Sequence, residues 1–200
     1  MEKMIGDRIS VLDERKLCSI IIYPKRVLWK ESILFVWLLA FSIIGVYVLY
    51  LLFFGMDTID NSLFEGDKEE ILKGQKIYLL VFAGFWMYFE YKVLKGFLWL
   101  VRGKELIRIT KEEISIKNDI FGYGKAKKYF TENTTNFELV EHKTVSFGFD
   151  YENAFWRQGT DSLIFDINKK SISFAKKIPE KEANLLMRLM KDRIKKLKKG

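Results

Sequence analysis

The sequence is poor in the side chains that bind metals and form covalent cross-links. Its 200 residues include one cysteine, Cys18, and one histidine, His142. A single cysteine cannot form a disulfide within the chain, and one thiol with one imidazole is too small a ligand set for an ordinary zinc site. We therefore expect no metal and no cofactor. Cys18 is expected to be a small buried apolar residue and His142 a surface residue.

Catalytic sequence motifs are also absent. The patterns GxxxxGKS/T, GxSxG, HExxH and CxxC do not occur in the chain. Gly122 and Gly124 lie between predicted strands and not at a helix start, where backbone amides hold a phosphate, so we expect them in a turn. The sequence therefore predicts a protein that is not an enzyme and has no evident small-molecule substrate.

Two long apolar segments are the most prominent feature that is present. The first, residues 33–54, has 22 residues and no charge. At about 1.5 Å per residue, a helix of this length covers the roughly 30 Å hydrocarbon core of a bilayer. A cleaved signal peptide is the alternative, but more than 30 residues precede the segment, acids as well as bases are among them, and no small-residue cleavage site follows.

The second apolar segment, residues 77–101, contains three charged residues: Glu90, Lys92 and Lys95. A helix that begins near one membrane surface brings both lysines close to the other surface, where their long side chains extend outward. We therefore predict a second span at 77–96. The two spans and the loop 55–76 form a transmembrane hairpin within residues 33–101.

The distribution of basic residues predicts the orientation of this hairpin. Residues 1–30 contain seven Lys and Arg, the loop 55–76 contains three, and the chain after residue 101 contains 22. Because basic residues are enriched on the cytoplasmic side, both termini are expected there and the loop outside. The predicted localisation is the inner cell membrane, with a cytoplasmic N-terminal segment at 1–32 and a cytoplasmic domain at 102–200.

Glu90 is the residue for which the sequence favours a specific role. A carboxylate within a membrane helix is costly and indicates a partner or a polar pathway. The alternative is that Glu90 pairs with Lys30 or a water molecule and only fixes helix packing. The small residues Gly45, Ala83 and Gly84 are expected to allow close contact between helices.

Beyond the hairpin, the hydrophobic period changes from helical to alternating. Residues 105–117 and 162–175 each show two alternating runs around a polar turn, which predicts two β-hairpins. Shorter strands are predicted at 127–130 and 137–140. The aromatic stretch 145–159 is interpreted as a strand with a long loop.

The C-terminal segment 179–198 returns to a helical period. Pro179 suits the first helical turn, and acids near the start and bases near the end match the helix dipole. One apolar stripe runs along this helix: Ala183, Leu186, Met190, Ile194 and Leu197. The sequence predicts a helix that packs its apolar stripe on the preceding sheet.

The net charge of +8 indicates an acidic partner. A domain tethered to the inner leaflet meets anionic lipid headgroups before nucleic acid, so we expect membrane lipid as the partner, and this also applies to Lys125, Lys127 and Lys128. The lysines assigned to lipid headgroups are Lys92, Lys95, Lys195, Lys196, Lys198 and Lys199.

Several segments together resemble one family. The hairpin followed by LIRITKEEISIK, FGYGKAKKYF and GTDSLIFDINKKSISFAKKIPEKEANLLMRLM is similar to bacterial membrane proteins with a pleckstrin-homology-like domain of the YcxB-like kind, over about residues 30–195. The chain departs from that pattern at the turn 168–170 and at Ala175, where glycine is often found. The resemblance implies an interaction or oligomerisation domain and no active site to transfer.

The expected fold is an α+β membrane protein with an N-terminal two-helix transmembrane hairpin and a pleckstrin-homology-like β-sandwich or barrel capped by a C-terminal amphipathic helix. The favoured function is a scaffold, accessory or assembly subunit of a membrane complex. Its partners are then another protein or further copies of the chain. A homo-oligomeric transport or channel component is the alternative, and a membrane enzyme is the least favoured of the three.

Overall fold

The computed structural model describes residues 2–55, 68–140, 160–168 and 170–199, except for the side chains of 2, 68–72, 198 and 199. The chain is α+β, with two antiparallel sheets. It divides into two compact units. We call Met1–Val27 with Leu98–Gly200 the β unit, and Leu28–Phe97 the hairpin unit.

The first sheet of the β unit is an antiparallel meander in which each strand pairs with the next in the order β1-β2-β3-β4-β5-β6. Its strands are β1 (Glu2–Ile5), β2 (Ile9–Asp13), β3 (Cys18–Ile22), β4 (Gly103–Ile109), β5 (Glu113–Ile120) and β6 (Ala126–Phe130). The pairing of β3 with β4 joins Cys18 to Ile109 and Ile22 to Glu105. The whole hairpin unit is therefore an insertion between two neighbouring strands.

The second sheet has three antiparallel strands in the order β7-β8-β9. They are β7 (Thr134–Leu139), β8 (Asp161–Ile167) and β9 (Lys170–Lys176). The helix α3 (Glu180–Lys199) follows and packs against β7, β8 and β1. It thus contacts strands of both sheets.

One hydrophobic core unites the two sheets and α3. Alternate residues of the strands point into it, since side chains of a strand face opposite sides in turn. Completely buried members include Ile20, Ile107, Ile114 and Phe165. The predicted apolar stripe of α3 is buried in the same core, with Ala183, Leu186 and Met190 fully inside.

Most strands after the hairpin agree with the sequence prediction. The segment 105–117 forms β4 and β5, and 162–175 forms β8 and β9. The strands predicted at 127–130 and 137–140 correspond to β6 and β7, and α3 matches the predicted helix 179–198 within one residue at each end. The strand predicted within 145–159 lies outside the described residues, as does His142.

The N-terminal segment 1–32 corrects the predicted domain boundaries. It was predicted as a segment separate from the domain 102–200, whereas residues 2–22 contain β1, β2 and β3 and belong to the β unit. The strands are short, at four or five residues each, and β3 pairs with a strand beyond the hairpin. Strands this short offer only two or three alternations, which is little signal for a periodicity.

The hairpin unit contains α1 (Leu28–Tyr50), which continues into a π-helical turn (Leu51–Gly55), and most of α2 (Lys68–Arg102). Both helices are long and apolar enough to cross a membrane. They are longer than the predicted spans 33–54 and 77–96. In addition, residues 68–76 of the predicted loop 55–76 are already helical.

Candidate functional site

The two helices of the hairpin unit meet through a polar contact in otherwise apolar surroundings. The Ser42 hydroxyl of α1 donates a hydrogen bond of 2.6 Å to Oε1 of Glu90 on α2. Phe35 lies against Phe97, with ring centroids 6.1 Å apart, and Phe41 lies against Trp86. In these contacts, higher residue numbers on α1 face lower residue numbers on α2, so the two helices are antiparallel. Ser42 and Glu90 therefore lie at the same level along the hairpin.

Trp86 lies beside this contact and fills the space between the helices. Its indole Nε1 donates a hydrogen bond of 3.0 Å to the backbone carbonyl of Phe41. The ring lies against Gly45, where an added Cβ would overlap it. Gly45 is therefore needed for the fit of a large aromatic ring against α1.

The second carboxylate oxygen of Glu90 has no partner among the described residues. This atom, Oε2, is buried, and no donor of the described residues lies within hydrogen-bond distance of it. Burial of a polar atom without a hydrogen bond is unfavourable, because the atom loses its hydrogen bonds to water and forms none with the protein. The structure thus leaves Glu90 with capacity for one more donor.

The predicted contact between Glu90 and Lys30 is wrong. Ser42 is the hydrogen-bond partner, and the ammonium of Lys30 lies over the ring of Trp29, 5.5 Å from its centroid. Lys30 is 12 residues before Ser42 on the same helix, a separation of about 18 Å along the helix axis. A side chain does not cover that distance.

The three small residues proposed for helix packing have different environments. Gly45 and Ala83 are buried, whereas Gly84 is exposed and an added Cβ there would meet no atom within 4 Å. Gly45 supports packing within the hairpin itself. Gly84 instead leaves an open position on the outer face of α2.

The hairpin unit exposes much of its apolar surface. Examples of exposed side chains are Val36, Ile43, Tyr47, Phe53, Tyr78 and Phe85. A recess of about 330 Å³ on this unit is lined almost entirely by apolar groups: Phe41, Tyr78, Val81, Phe82, Phe85, Trp86 and Phe89. Such a continuous apolar surface is typical of a segment that contacts lipid or other helices.

The lysines predicted to contact lipid headgroups lie at two places in the chain. On α2, Lys92 lies 5.3 Å from the ring centroid of Tyr88, and Lys95 lies 6.0 Å from that of Tyr91. On α3, Lys195 and Lys196 are exposed. The side chains of residues 198 and 199, the remaining two lysines of this set, lie outside the described part of the structure.

Cys18, the only thiol, is fully buried in the core of the β unit. Burial raises its pKa to about 11, with a further contribution from the nearby charge of Asp13. At neutral pH the group is a neutral thiol, which is a poor nucleophile. Within the described ranges, no three His, Cys, Asp or Glu side chains gather into a group that could hold a metal ion.

A buried carboxylate in the β unit was not predicted from the sequence. Glu105 on β4 is 2% exposed, and it accepts hydrogen bonds from the backbone amides of Ala175, at 3.0 and 3.2 Å, and of Lys176, at 3.2 Å. Burial raises its pKa, while the Ala175 amide opposes that rise. Ala175 has φ = 65°, a left-handed conformation that glycine adopts more readily than alanine.

Comparison of the chain with models of protein families, with curated proteins and with solved structures gave no match. The resemblance to the YcxB-like proteins therefore stays a prediction.

Proposed function

We propose that the chain is an integral membrane protein that crosses the inner membrane twice, with both termini and the β unit in the cytoplasm. The length and apolar composition of α1 and α2 support this proposal, as does their exposed apolar surface. The excess of basic residues outside the loop 55–76 supports the orientation.

The proposed role of the β unit is that of a cytoplasmic interaction domain with a pleckstrin-homology-like fold. Two antiparallel sheets that share one core with a C-terminal helix support this assignment. Its most deeply buried acid, Glu105, is held by two backbone amides and so serves the fold. Fold alone does not define a ligand, and no active site is part of the proposal.

The hairpin is proposed to bind other membrane helices, so that the protein acts as a non-enzymatic scaffold, accessory or assembly subunit of a membrane complex. The observation that carries this proposal is the Glu90 carboxylate, which has one hydrogen bond to Ser42 and one unpaired oxygen. The last torsion of a glutamate side chain is soft, so a small rotation presents the free oxygen to a donor on a neighbouring helix. The apolar recess beside it provides the surrounding contact area.

Purification of the full-length chain in a mild detergent, followed by mass measurement of the intact particle, tests this function. The expected result is a stable complex with at least one different chain. A particle that contains only this chain, whether as one copy or as several, would contradict the accessory role.

A homo-oligomeric transport or channel component is the second candidate. The polar Ser42–Glu90 contact inside an apolar hairpin is the observation that favours it, since intramembrane polar groups often line ion or proton paths. Two helices cannot enclose a path, so this function needs several copies. A closed ring of identical chains in the same mass measurement would support it.

A further inference from the structure

The turn between β5 and β6 has an unusual composition for a tight turn. It consists of Ile120, Phe121, Gly122 and Tyr123, closed by backbone hydrogen bonds of 2.9 Å in both directions between Ile120 and Tyr123. Phe121 has φ = 53° and Gly122 has φ = 87°. Positive φ at both central positions defines a type I′ turn, in which Asn-Gly is the preferred pair.

Phe121 is therefore in a conformation that suits asparagine or glycine far better than a bulky residue. Burial does not compensate for this, because Phe121 is 57% exposed and Tyr123 is 83% exposed. An unfavourable backbone that presents two aromatic rings to the outside is a feature that folding alone does not explain. We call Phe121 and Tyr123 the aromatic tip.

Polar contacts behind the tip hold it in place. The buried carboxylate of Asp119 accepts a hydrogen bond of 3.2 Å from the Gly122 amide and pairs with Lys117 at 2.6 Å. Lys117 also donates to the Gly122 carbonyl at 2.8 Å. The Lys117 ammonium holds the pKa of Asp119 below its usual range, so this carboxylate stays charged at neutral pH. The tip is thus a pre-formed element.

Exposed lysines follow the aromatic tip in the sequence. From Phe121 to Phe130 the sequence has three lysines and no acid. Lys128 pairs with Glu113 at 3.0 Å, whereas Lys125, just before β6, and Lys127, on β6, are exposed. Exposed aromatic rings beside exposed lysines complement the interface of an anionic bilayer, where rings enter the headgroup region and lysines meet lipid phosphates.

Strand register places the tip at a particular end of the sheet. Ile120, the last residue of β5, pairs with Gly103, the first residue of β4. Gly103 follows Arg102, where α2 ends, and it packs on Trp99 of that helix. The aromatic tip therefore lies at the end of the sheet where the chain arrives from the second apolar helix.

The geometry points to the aromatic tip, with Lys125 and Lys127, as a membrane-docking element that inserts Phe121 and Tyr123 into the headgroup region of an anionic bilayer. This inference rests on the proposed membrane insertion of the hairpin, because β4 continues directly from α2.

Depth-dependent fluorescence quenching of the full-length chain in lipid nanodiscs tests the inference. An environment-sensitive dye is attached at Tyr123→Cys, at Lys111→Cys in the β4–β5 turn as the control at the opposite end of the sheet, and at Ile43→Cys in α1. The unsubstituted chain measures any labelling of buried Cys18. The nanodiscs contain phosphatidylcholine with or without phosphatidylglycerol, and the quencher is carried on the lipid.

The expected result is strong quenching at position 123 in phosphatidylglycerol discs, and little at position 111. Replacement of Lys125 and Lys127 by alanine should lower the equilibrium constant for contact of the aromatic tip with the bilayer roughly fivefold per lysine. Phe121→Asn keeps the turn, because asparagine is preferred there, and should also reduce quenching.

Equal quenching at positions 123 and 111, or equal quenching at position 123 with and without phosphatidylglycerol, would overturn the inference. Position 43 separates this failure from failure of the proposed function. A dye there that is quenched by lipid acyl chains supports the hairpin insertion by itself, and one that is not quenched contradicts both proposals.

Discussion

Glu90 in the hairpin unit and Glu105 in the β unit are carboxylates in apolar surroundings, but their hydrogen bonding differs. Glu105 receives two backbone amides, and both of its oxygens have donors. Glu90 receives the Ser42 hydroxyl on one oxygen, and no donor among the described residues reaches the other. A satisfied buried acid is explained by the fold, whereas an unsatisfied one calls for a further partner.

Replacement of Glu105 by alanine should destabilise the β unit by about 3 kcal/mol, because two buried amides of β9 lose their acceptor and a cavity remains. The measurement is urea unfolding of the full-length protein in detergent, followed by circular dichroism of the sheets. Glu112→Ala, an exposed acid in the β4–β5 turn, is the matched control and should change stability by less than about 0.5 kcal/mol. Similar losses for the two variants would show that Glu105 does not hold the sheets.

Replacement of Gly45 by leucine should destabilise the hairpin by roughly 1–3 kcal/mol, since the new side chain overlaps the Trp86 ring and forces the helices apart. Gly84→Leu adds the same side chain where no atom lies within 4 Å and should be nearly neutral. Thermal unfolding in detergent, followed by the circular dichroism of the helices, measures the stability of both variants. Equal unfolding temperatures for Gly45→Leu and Gly84→Leu would contradict the close contact between Gly45 and the Trp86 ring.

The stability of the β unit should fall as pH rises above the ordinary pKa of a glutamate. Because burial raises the pKa of Glu105 in the folded state, the folded protein binds more protons than the unfolded chain between the ordinary and the raised value. This contribution is complete below the ordinary pKa and is lost as pH rises through the raised one. Nearby Asp161 and Lys176 act in opposite directions on this group.

Glu105→Gln removes the titrating group and should flatten this part of the pH profile, with unfolding temperatures measured between pH 4 and pH 8. Glu112→Gln serves as the control and should leave the slope unchanged. An unchanged slope in Glu105→Gln would assign the pH dependence to another group.

Ser42→Ala should produce a smaller loss, about 1 kcal/mol of hairpin stability, because hydrogen bonds between membrane helices are modest. Ser42→Thr retains a hydroxyl and should recover most of the loss. Steric trapping or detergent-denaturant titration of the hairpin measures both variants. If alanine and threonine behave alike, then the hydroxyl is not the interaction that matters.

The secondary-structure elements that could be predicted are those whose sequence pattern is local. The β4–β5 and β8–β9 hairpins and α3 were found because alternation, turn residues and a helical stripe all lie within about 15 to 20 residues. Strands β1 to β3 were not predicted because each has only four or five residues, too few for a clear alternation. The pairings β1–β2 and β2–β3 are local, whereas β3 pairs with a strand more than 80 residues away. Such a pairing is visible only once the hairpin unit is recognised as an insertion.

The candidate site followed the same rule. Glu90 stands out because a carboxylate interrupts an apolar segment. Its partner Ser42 does not stand out, because it is a single hydroxyl group in a long apolar helix. Lys30 has a charge opposite to that of a carboxylate and was therefore the more obvious candidate. The antiparallel order of the helices, with similar distances of Ser42 from the start of α1 and of Glu90 from the end of α2, was the signal that could have identified the pair.

The central claim is that the unpaired oxygen of Glu90 serves assembly with another membrane chain. The most direct test compares the intact masses of the complexes that copurify with the wild-type chain, Glu90→Leu and Glu105→Gln in the same mild detergent. We predict that the wild-type and Glu105→Gln chains retain a heterologous partner and that Glu90→Leu loses it while still entering the membrane. Retention of the same partner by Glu90→Leu would contradict the claim.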